Sequence, residues 1–192
     1  MSWESLGLFD MEIKTDTGLA TGHRKKRRSK RVLILGLGNI LLKDEGIGAY
    51  IATELQKKNL PENVEVIDGG TSGLDILLSQ DGLYKLVIVD ALKAGKKPGT
   101  IYKAVFKGRK KKNLTKIFSR KKNSQISLHQ VGLIEALAAA EKLNRAPSEV
   151  IIIGVEPAEV DCGLEPTQLV KQRSAEIINT VLEEIEDAVY ED

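Results

Sequence analysis

Short runs of apolar, mostly β-branched residues recur along the chain and predict buried β-strands. Four runs are apolar at nearly every position, which is typical of strands covered on both faces of a sheet. These runs are Val32–Leu37, Val64–Ile67, Leu86–Val89 and Val150–Val155. A fifth segment, Thr100–Phe106, alternates more between polar and apolar residues and predicts an edge strand. The strand pattern therefore predicts a sheet with an apolar centre.

Helical spacing separates these runs. Ile47, Ile51 and Leu55 repeat at i, i+4, and Asp44 is a suitable N-cap for the helix that they predict. Leu74–Leu78 predicts a short helix after the second strand. Because helices follow strands in this way, the connections between strands are long enough to be parallel crossovers.

Two further apolar stripes lie in the second half of the chain. The first consists of Val131, Leu133, Ile134, Leu137 and Ala138. The second predicts one long helix from Pro166 to Val189, with a core face made of Leu169, Ile177, Ile178, Val181, Leu182 and Ile185. Alternating strands and helices predict an α/β fold: a three-layer sandwich with a central, mainly parallel twisted sheet and helices on both faces.

Composition and charge set the domain organisation. The chain has 192 residues, of which 42% are hydrophobic, enough for one domain over residues 31–192. Residues 1–30 are polar, lack periodicity and end in a basic block, so we expect an added leader or a flexible arm. A second basic block, Lys107–Lys122, is expected to be a solvated loop. No aromatic RNA-binding motif accompanies these lysines, so contact with nucleic acid is not expected.

The compartment and the assembly state follow from simple features. No apolar run approaches the roughly 20 residues that span a bilayer, so no membrane contact is expected. Cys162 is the single cysteine and cannot form an internal disulfide, which favours a reducing, cytoplasmic location. A monomer is the expected state.

Polar residues gather where the predicted strands end. Asp90 follows an entirely apolar strand, and Glu45 opens a helix in which Gly46 and Gly48 lower helix propensity by about 1 kcal/mol each. Glycines at these positions suggest a close approach to the backbone. His129 precedes a predicted helix. Two carboxylates and an imidazole suit a divalent ion of borderline hardness, although Asp90 can also cap a turn and His129 can be structural.

Other chemistries fit the sequence less well. Gly36 and Gly38 follow a strand, but Leu41 stands where a dinucleotide-binding fingerprint needs its third glycine. There is no Gly-x-Ser-x-Gly elbow, and a lone cysteine such as Cys162 is usually inert. After Asp68, Gly69 and Gly70 predict a tight loop with accessible amides. Glu156 ends the last strand at the same edge or simply marks the strand exit.

Taken together, these segments resemble the nickel-iron hydrogenase maturation proteases. The matching stretches are Gly36–Gly48, Asp68–Gly73, Val89–Ala91, Ser127–Leu133, and Ile153–Pro157 followed by Gly163–Pro166. They occur in the expected order between about Arg31 and Val189. Residues 1–30 and the long basic loop have no counterpart in the family pattern, and we expect the loop to contact an acidic part of the substrate or another subunit.

The resemblance implies a function and a set of site residues. It implies an endopeptidase that removes the C-terminal extension of a hydrogenase large-subunit precursor once nickel has been inserted. The metal contacts of the family map onto Glu45, Asp90 and His129, which would contact nickel in the precursor, or another divalent ion in its place. Glu45 and Asp90 are the expected catalytic carboxylates. Asn39, Asp68, Gly69 and Gly70 are expected to border the substrate groove.

Two mechanisms of cleavage are compatible with these residues. The ion polarises a carbonyl or a water molecule while Glu45 or Asp90 assists proton transfer, or the metal only positions the peptide. The rival functions are a peptidyl-tRNA hydrolase, whose sequences also open with a strand and Gly-Leu-Gly-Asn, and a nucleotide- or RNA-binding protein. The proline and the Arg-His-Asn segment expected downstream in the hydrolase are missing.

Overall fold

A computed structural model of the protein describes residues 30–107, 135 and 137–189. Its centre is a five-stranded sheet. The strands are β1 (Arg31–Leu37), β2 (Val64–Gly70), β3 (Leu83–Ala91), β4 (Ile101–Lys107) and β5 (Glu149–Val155). Their order is β2-β1-β3-β5-β4; all neighbours are parallel except β4, which runs antiparallel to β5 at one edge. The predicted mainly parallel sheet and its edge strand β4 are confirmed, whereas β2, predicted as a strand covered on both faces, is only partly buried because it lies at the other edge.

The helices connect or follow these strands. A 3₁₀ turn, Lys43–Gly46, leads directly into α1 (Ile47–Gln56), and α2 (Gly73–Ser79) follows β2. Residues 137–142 are helical and precede β5. The chain ends with α3 (Gln168–Lys171) and α4 (Ser174–Val189). None of the helices in the described ranges is long and apolar enough to cross a membrane.

Alternate side chains of the central strands build two cores on the two faces of the sheet. Val32, Ile34 and Val87 face α1 and α4, whereas Leu33 and Leu35 face α2 and the helical residues 137–142. Each fully buried side chain of this kind contributes about 1.5–3 kcal/mol through loss of apolar contact with water. The predicted three-layer sandwich is therefore confirmed.

The predicted long C-terminal helix is wrong in its first part. The segment forms two helices, with a break after Lys171, and so no single stripe runs through it. Val170 is completely buried, whereas Leu169, predicted to face the core, is 46% exposed. Thr167 caps α3 by accepting a hydrogen bond from the amide of Val170 at 3.5 Å. The later core face is confirmed by the buried Ile177, Val181 and Ile185, with Ile178 and Leu182 partly buried against it.

Several predictions concern residues outside the described ranges. These are the N-terminal extension before residue 30, most of the basic loop, His129, and the stripe residues Val131, Leu133 and Ile134. Leu137, from the same stripe, is described and buried. The division into an extension and a domain therefore stays a prediction.

Two glycines bring α1 into direct backbone contact with the sheet. A Cβ atom on Gly48 would lie 2.2 Å from the carbonyl oxygen of Leu37 and 2.3 Å from that of Val89. A Cβ atom on Gly36 would lie 2.1 Å from the carbonyl oxygen of Gly48. The first turn of α1 is thereby fixed over the carboxyl ends of β1 and β3, and the 3₁₀ turn before it lies at that edge.

Replacing Gly48 with Ala is expected to lower the free energy of unfolding by about 3 kcal/mol, since backbone carbonyls on two strands would have to move. Urea unfolding followed by circular dichroism measures the change. Thr53→Ala is the control on the exposed side of α1, where a change within about 0.5 kcal/mol is expected. Equal unfolding midpoints for Gly48→Ala and the natural chain would contradict the tight contact.

Candidate active site at the carboxyl edge of the sheet

Glu45 and Asp90 lie at the same edge of the sheet. Asp90 is the penultimate residue of β3 and is 3% exposed. Glu45 belongs to the 3₁₀ turn that contacts β3, its amide donates to the carbonyl of Leu42 at 3.0 Å, and its side chain is half-buried. The crossover from β1 through this turn to α1 therefore places two acidic residues beside the ends of the central strands, where open α/β sheets carry their sites.

The third predicted ligand, His129, lies outside the described residues. Within the ranges that the structure covers, no three His, Cys, Asp or Glu side chains are grouped closely enough to hold a metal ion. The assignment of Glu45, Asp90 and His129 to a metal thus stays a prediction. The described part of the fold holds two of the three predicted ligands, Glu45 and Asp90, at the same edge of the sheet.

Asp44, next to Glu45, has a different task. Its carboxylate is fully buried and accepts hydrogen bonds from the amides of Ala158, Glu159 and Thr167 at 2.7, 2.9 and 2.6 Å. The hydroxyl of Thr167 donates to it as well, at 3.0 Å. A buried carboxylate requires such donors because desolvation of the charge is costly. Asp44 therefore ties the 3₁₀ turn to the segment that follows β5.

The prediction that Asp44 caps the helix is wrong. The residues at the cap positions are Leu42 for the 3₁₀ turn and Gly46 for α1, and neither cap uses a side-chain hydrogen bond. Asp44 lies inside the 3₁₀ turn, two residues before the cap position of α1, and its carboxylate accepts hydrogen bonds from the segment after β5 instead.

Lys43 adds a second link between the same two segments. Its ammonium group lies 2.5 Å from a carboxylate oxygen of Glu159, and this hydrogen bond raises the pKa of Lys43. Its amide donates to the carbonyl of Gly163 at 2.9 Å. The backbone of Lys43 is left-handed, with φ of 43°, a conformation that residues other than glycine rarely adopt. The turn that carries Glu45 is thus held in a fixed conformation by several contacts.

Glu156 is a second buried carboxylate that organises this edge. Its oxygens accept hydrogen bonds from the amides of Ala94 and Gly95 at 2.9 and 3.0 Å, and from the hydroxyl of Tyr102. Burial alone would raise the pKa of Glu156, but Tyr102 and the backbone amides outweigh it, so the net pKa is lowered. Burial, together with the hydrogen bond to Glu156, raises the pKa of Tyr102 to about 12. Glu156 fixes the loop that leaves β3 just after Asp90.

The predicted substrate-binding residues lie near the end of β1, with Asn39 two residues beyond it and Asp68, Gly69 and Gly70 on β2. The side-chain oxygen of Asn39 accepts a hydrogen bond from the amide of Leu41 at 3.0 Å. Asp68 is exposed, and it accepts a hydrogen bond from the amide of Gly70 at 3.0 Å. A Cβ atom on Gly69 would lie 2.8 Å from a methyl group of Leu35, so this glycine faces the core.

The expected glycine loop after Ile67 is therefore part of a strand. β2 continues to Gly70, and the amide of Gly70 is already used by Asp68. An incoming peptide cannot pair with that amide without displacing Asp68. The roles of Asn39, Asp68, Gly69 and Gly70 towards a substrate stay predictions. β2 nevertheless lies at one edge of the described sheet, where an added strand can pair.

Sequence reasoning missed the structural roles of Asp44 and Glu156. Their hydrogen-bond partners lie 114 to 123 residues away for Asp44 and 54 to 62 residues away for Glu156. No local pattern reveals such partners. The one available signal was an acidic residue directly before or after an apolar segment, and it does not separate a structural carboxylate from a reactive one.

Asp44→Asn is expected to lower the free energy of unfolding by about 3 kcal/mol, because the amide NH₂ of Asn would face backbone donors that are then left without an acceptor. Urea unfolding gives the change, and hydrogen exchange at Ala158 and Thr167 reports whether the loop opens. The control is Asp161→Asn, an exposed position of the same loop. Unchanged exchange at both amides would show that Asp44 does not hold this loop.

The pair formed by Glu156 and Tyr102 predicts a pH dependence. The raised pKa of Tyr102 adds stability below about pH 10, and this is lost as pH rises through about 12. The lowered pKa of Glu156 adds stability that is lost as pH falls through its folded value. Tyr102→Phe is expected to cost about 1–2 kcal/mol at neutral pH and to remove the tyrosine that ionises near pH 12 in absorbance titration. Tyr84→Phe should retain that component; its loss from Tyr84→Phe instead would reassign the group.

Comparison with known proteins gives a consistent picture. The family of hydrogenase maturation proteases matches residues 49–184. The Hydrogenase 2 maturation protease of Escherichia coli is 36% identical over 141 residues, covering 71% of this chain and 80% of that protein. The hydrogenase expression/formation protein HupD of Bradyrhizobium diazoefficiens is 34% identical over 135 residues. That match covers 70% of this chain and 66% of HupD, slightly less than two thirds of its length.

Solved structures agree with the sequence matches. The hydrogenase maturating endopeptidase HybD from E. coli has a TM-score of 0.72 and 31% identity, with 82% of this chain and 93% of that chain covered. The [NiFe] hydrogenase maturation protease HybD from Thermococcus kodakarensis has a TM-score of 0.61 and 30% identity, covering 80% and 97% of the two chains. From its sequence and its fold together, this chain belongs to the hydrogenase maturation protease family.

Proposed function

We propose that this protein is an endopeptidase that removes the C-terminal extension of a nickel-iron hydrogenase large-subunit precursor after nickel insertion. Membership of the maturation protease family supports the substrate class. The observation that carries the proposal is the placement of Glu45 and Asp90 at one edge of the sheet, next to the backbone contact of Gly48 with β1 and β3.

In this proposal the nickel ion belongs to the substrate. Cysteine thiolates of the precursor hold the ion, and Glu45, Asp90 and His129 add contacts from the protease. Carboxylates and imidazole are harder ligands than thiolates and suit a divalent ion of borderline hardness. They therefore supplement the thiolates without replacing them. A precursor that lacks nickel would lack the element that these residues recognise, and it would not be trimmed.

The two acidic residues differ in burial, which favours different tasks. Glu45 is half-buried and thus accessible to a water molecule at the scissile peptide bond. We assign it the proton transfer: it takes the proton from the attacking water and passes it to the leaving amine. Asp90 is almost fully buried and is fixed by β3, so we assign it to orienting the substrate-bound ion. The ion polarises the scissile carbonyl or the water.

The edge strand β2 is the proposed track for the extended peptide that is cut. Main-chain pairing along an edge strand binds a peptide with little dependence on its side chains. Asp68 lies on β2 opposite Gly36 and Asn39 follows the end of β1, and the proposed path of the peptide runs past them towards Glu45. These residues would thus fix the register of the peptide relative to the acidic pair.

Intact mass spectrometry of a large-subunit precursor tests the proposal. Incubation with the natural chain is expected to release a C-terminal peptide from the nickel-loaded precursor and not from the nickel-free form. Glu45→Gln is expected to slow release at least about 100-fold, because a residue that transfers protons contributes rate factors of that size. Asp90→Asn and His129→Ala are expected to weaken the response to nickel.

Glu141→Gln is the matched control, since it removes an exposed carboxylate from the helical residues that precede β5 and is not part of the proposed site or of β2. Circular dichroism of each variant separates loss of activity from loss of fold, which matters for the buried Asp90. Trimming at the natural rate by both Glu45→Gln and His129→Ala would rule out the assigned roles. Equal trimming of nickel-loaded and nickel-free precursors would rule out recognition through nickel.

A further inference from the structure

Apolar side chains are exposed on the two segments that meet beside the candidate active site. Ile40, Leu41 and Leu164 are 53%, 58% and 74% exposed, and Val160 is 43% exposed. Single exposed apolar side chains are ordinary on protein surfaces, whereas a group on adjoining segments marks an interaction site. Ile40, Leu41 and Leu164 are called the apolar patch below.

Backbone pairing brings the apolar patch together. Leu42 and Gly163 form an isolated parallel bridge, and the amide of Gly163 donates to the carbonyl of Leu41 at 2.9 Å. Leu41 accepts this hydrogen bond and Leu164 directly follows Gly163, so the exposed side chains belong to residues that adjoin across the bridge.

Hydrogen bonds and an ion pair fix the two segments that carry the apolar patch. Asp44 is bonded to the amides of Ala158, Glu159 and Thr167, and Lys43 is paired with Glu159. These contacts fix both segments before any partner arrives. A surface that is already ordered loses little conformational entropy on binding, so it gains more affinity from the same buried area.

The apolar patch is continuous with the candidate active site. Leu41 precedes Glu45 by four residues, the amide of Glu45 donates to the carbonyl of Leu42, and a Cβ atom on Gly46 would lie 3.0 Å from the Cα of Ile40. A protein whose peptide segment reaches Glu45 would bring its adjoining surface close to the apolar patch. Lys43 and Glu159 provide a polar border, as is usual at protein interfaces.

The size of the apolar patch argues for one class of occupant. Three exposed side chains of this kind offer roughly 300 Å² of apolar surface, at the lower end of functional patches on monomers. A stable dimer of two proteins buries about 1,600 Å² in total. The apolar patch is thus too small to hold a second copy of this chain alone, and it suits an accessory contact in a transient complex.

We infer that the apolar patch docks the folded body of the large-subunit precursor, by contact with an apolar surface next to the segment that is cut. This inference rests on the proposed function and deepens it, because it assigns the recognition of the protein substrate to a surface separate from the acidic pair. Docking holds the precursor while Glu45 and Asp90 contact its metal ion.

The double variant Leu41→Ser, Leu164→Ser tests the inference. Its KM for trimming of the nickel-loaded precursor is expected to rise about tenfold or more, with kcat unchanged within about twofold, since apolar contacts made equally before and during reaction affect binding alone. Binding of the intact precursor, measured separately by biolayer interferometry, should weaken by the same factor.

Leu143→Ser is the matched control. Leu143 is 60% exposed, close to the 58% of Leu41. It lies before β5, on the side of the amino ends of the parallel strands. Its KM and its binding should equal those of the natural chain. A double variant with the same KM and the same binding as Leu143→Ser would overturn the inference while the proposed function stands.

Two further outcomes separate the inference from the proposed function. If the natural chain binds the precursor without trimming it, and the double variant binds more weakly, the docking surface stands and the proposed activity fails. If the natural chain sediments as a dimer that the double variant disperses, with trimming unchanged, the apolar patch binds a second copy and the inference is overturned. A natural chain that neither binds nor trims any precursor encoded in its genome would overturn both.

Discussion

The buried carboxylate of Asp44 is the contact on which the carboxyl edge of the sheet depends. A charge removed from water is tolerated only where donors replace the lost hydration, and four donors surround this one. Three of them are backbone amides of the segment after β5, so the position of that segment is set by the turn that carries Asp44. Since Glu45 is the next residue in the same turn, the contact that closes the loop also positions the candidate catalytic carboxylate.

Close backbone packing gives this arrangement its second support. Gly36 and Gly48 allow α1 to begin directly on the ends of β1 and β3, leaving no space for a side chain between them. Glu156 acts similarly on the other side of β3, where it holds the amides of Ala94 and Gly95. Asp90 therefore lies between two fixed loops. Rigid support of this kind is what a site needs when its side chains must meet a metal that another protein carries.

The sequence was sufficient for the architecture because the three central strands are buried on both faces. Continuous apolar runs predicted β1, β3 and β5, and the alternation of Thr100–Phe106 correctly predicted an edge strand. Periodicity failed where a helix was interrupted, since the break after Lys171 buries Val170 and exposes Leu169. A stripe drawn through one continuous helix cannot anticipate that change.

The site was predictable only in part, for a physical reason. The ends of parallel strands meet at one edge, so Asp90 and Glu45 could be placed there from the sequence. Whether an acidic residue is structural depends on donors from distant segments, so the sequence alone predicts a helix cap at Asp44 and does not decide whether Glu156 belongs to the site or only marks a strand exit. The structure separates Asp44 from Glu45 by burial.

This separation bears on how a maturation protease could act selectively. A protein that bound nickel tightly by its own ligands would compete with its substrate for the ion, whereas a site that offers only a few hard ligands on a rigid frame gains affinity when the precursor brings the ion. In the proposed reaction the thiolates retain the metal, and the carboxylates recognise it without removing it. The structural carboxylates then matter as much as the reactive ones, because a mobile Glu45 would lose the geometric discrimination between a loaded and an empty precursor.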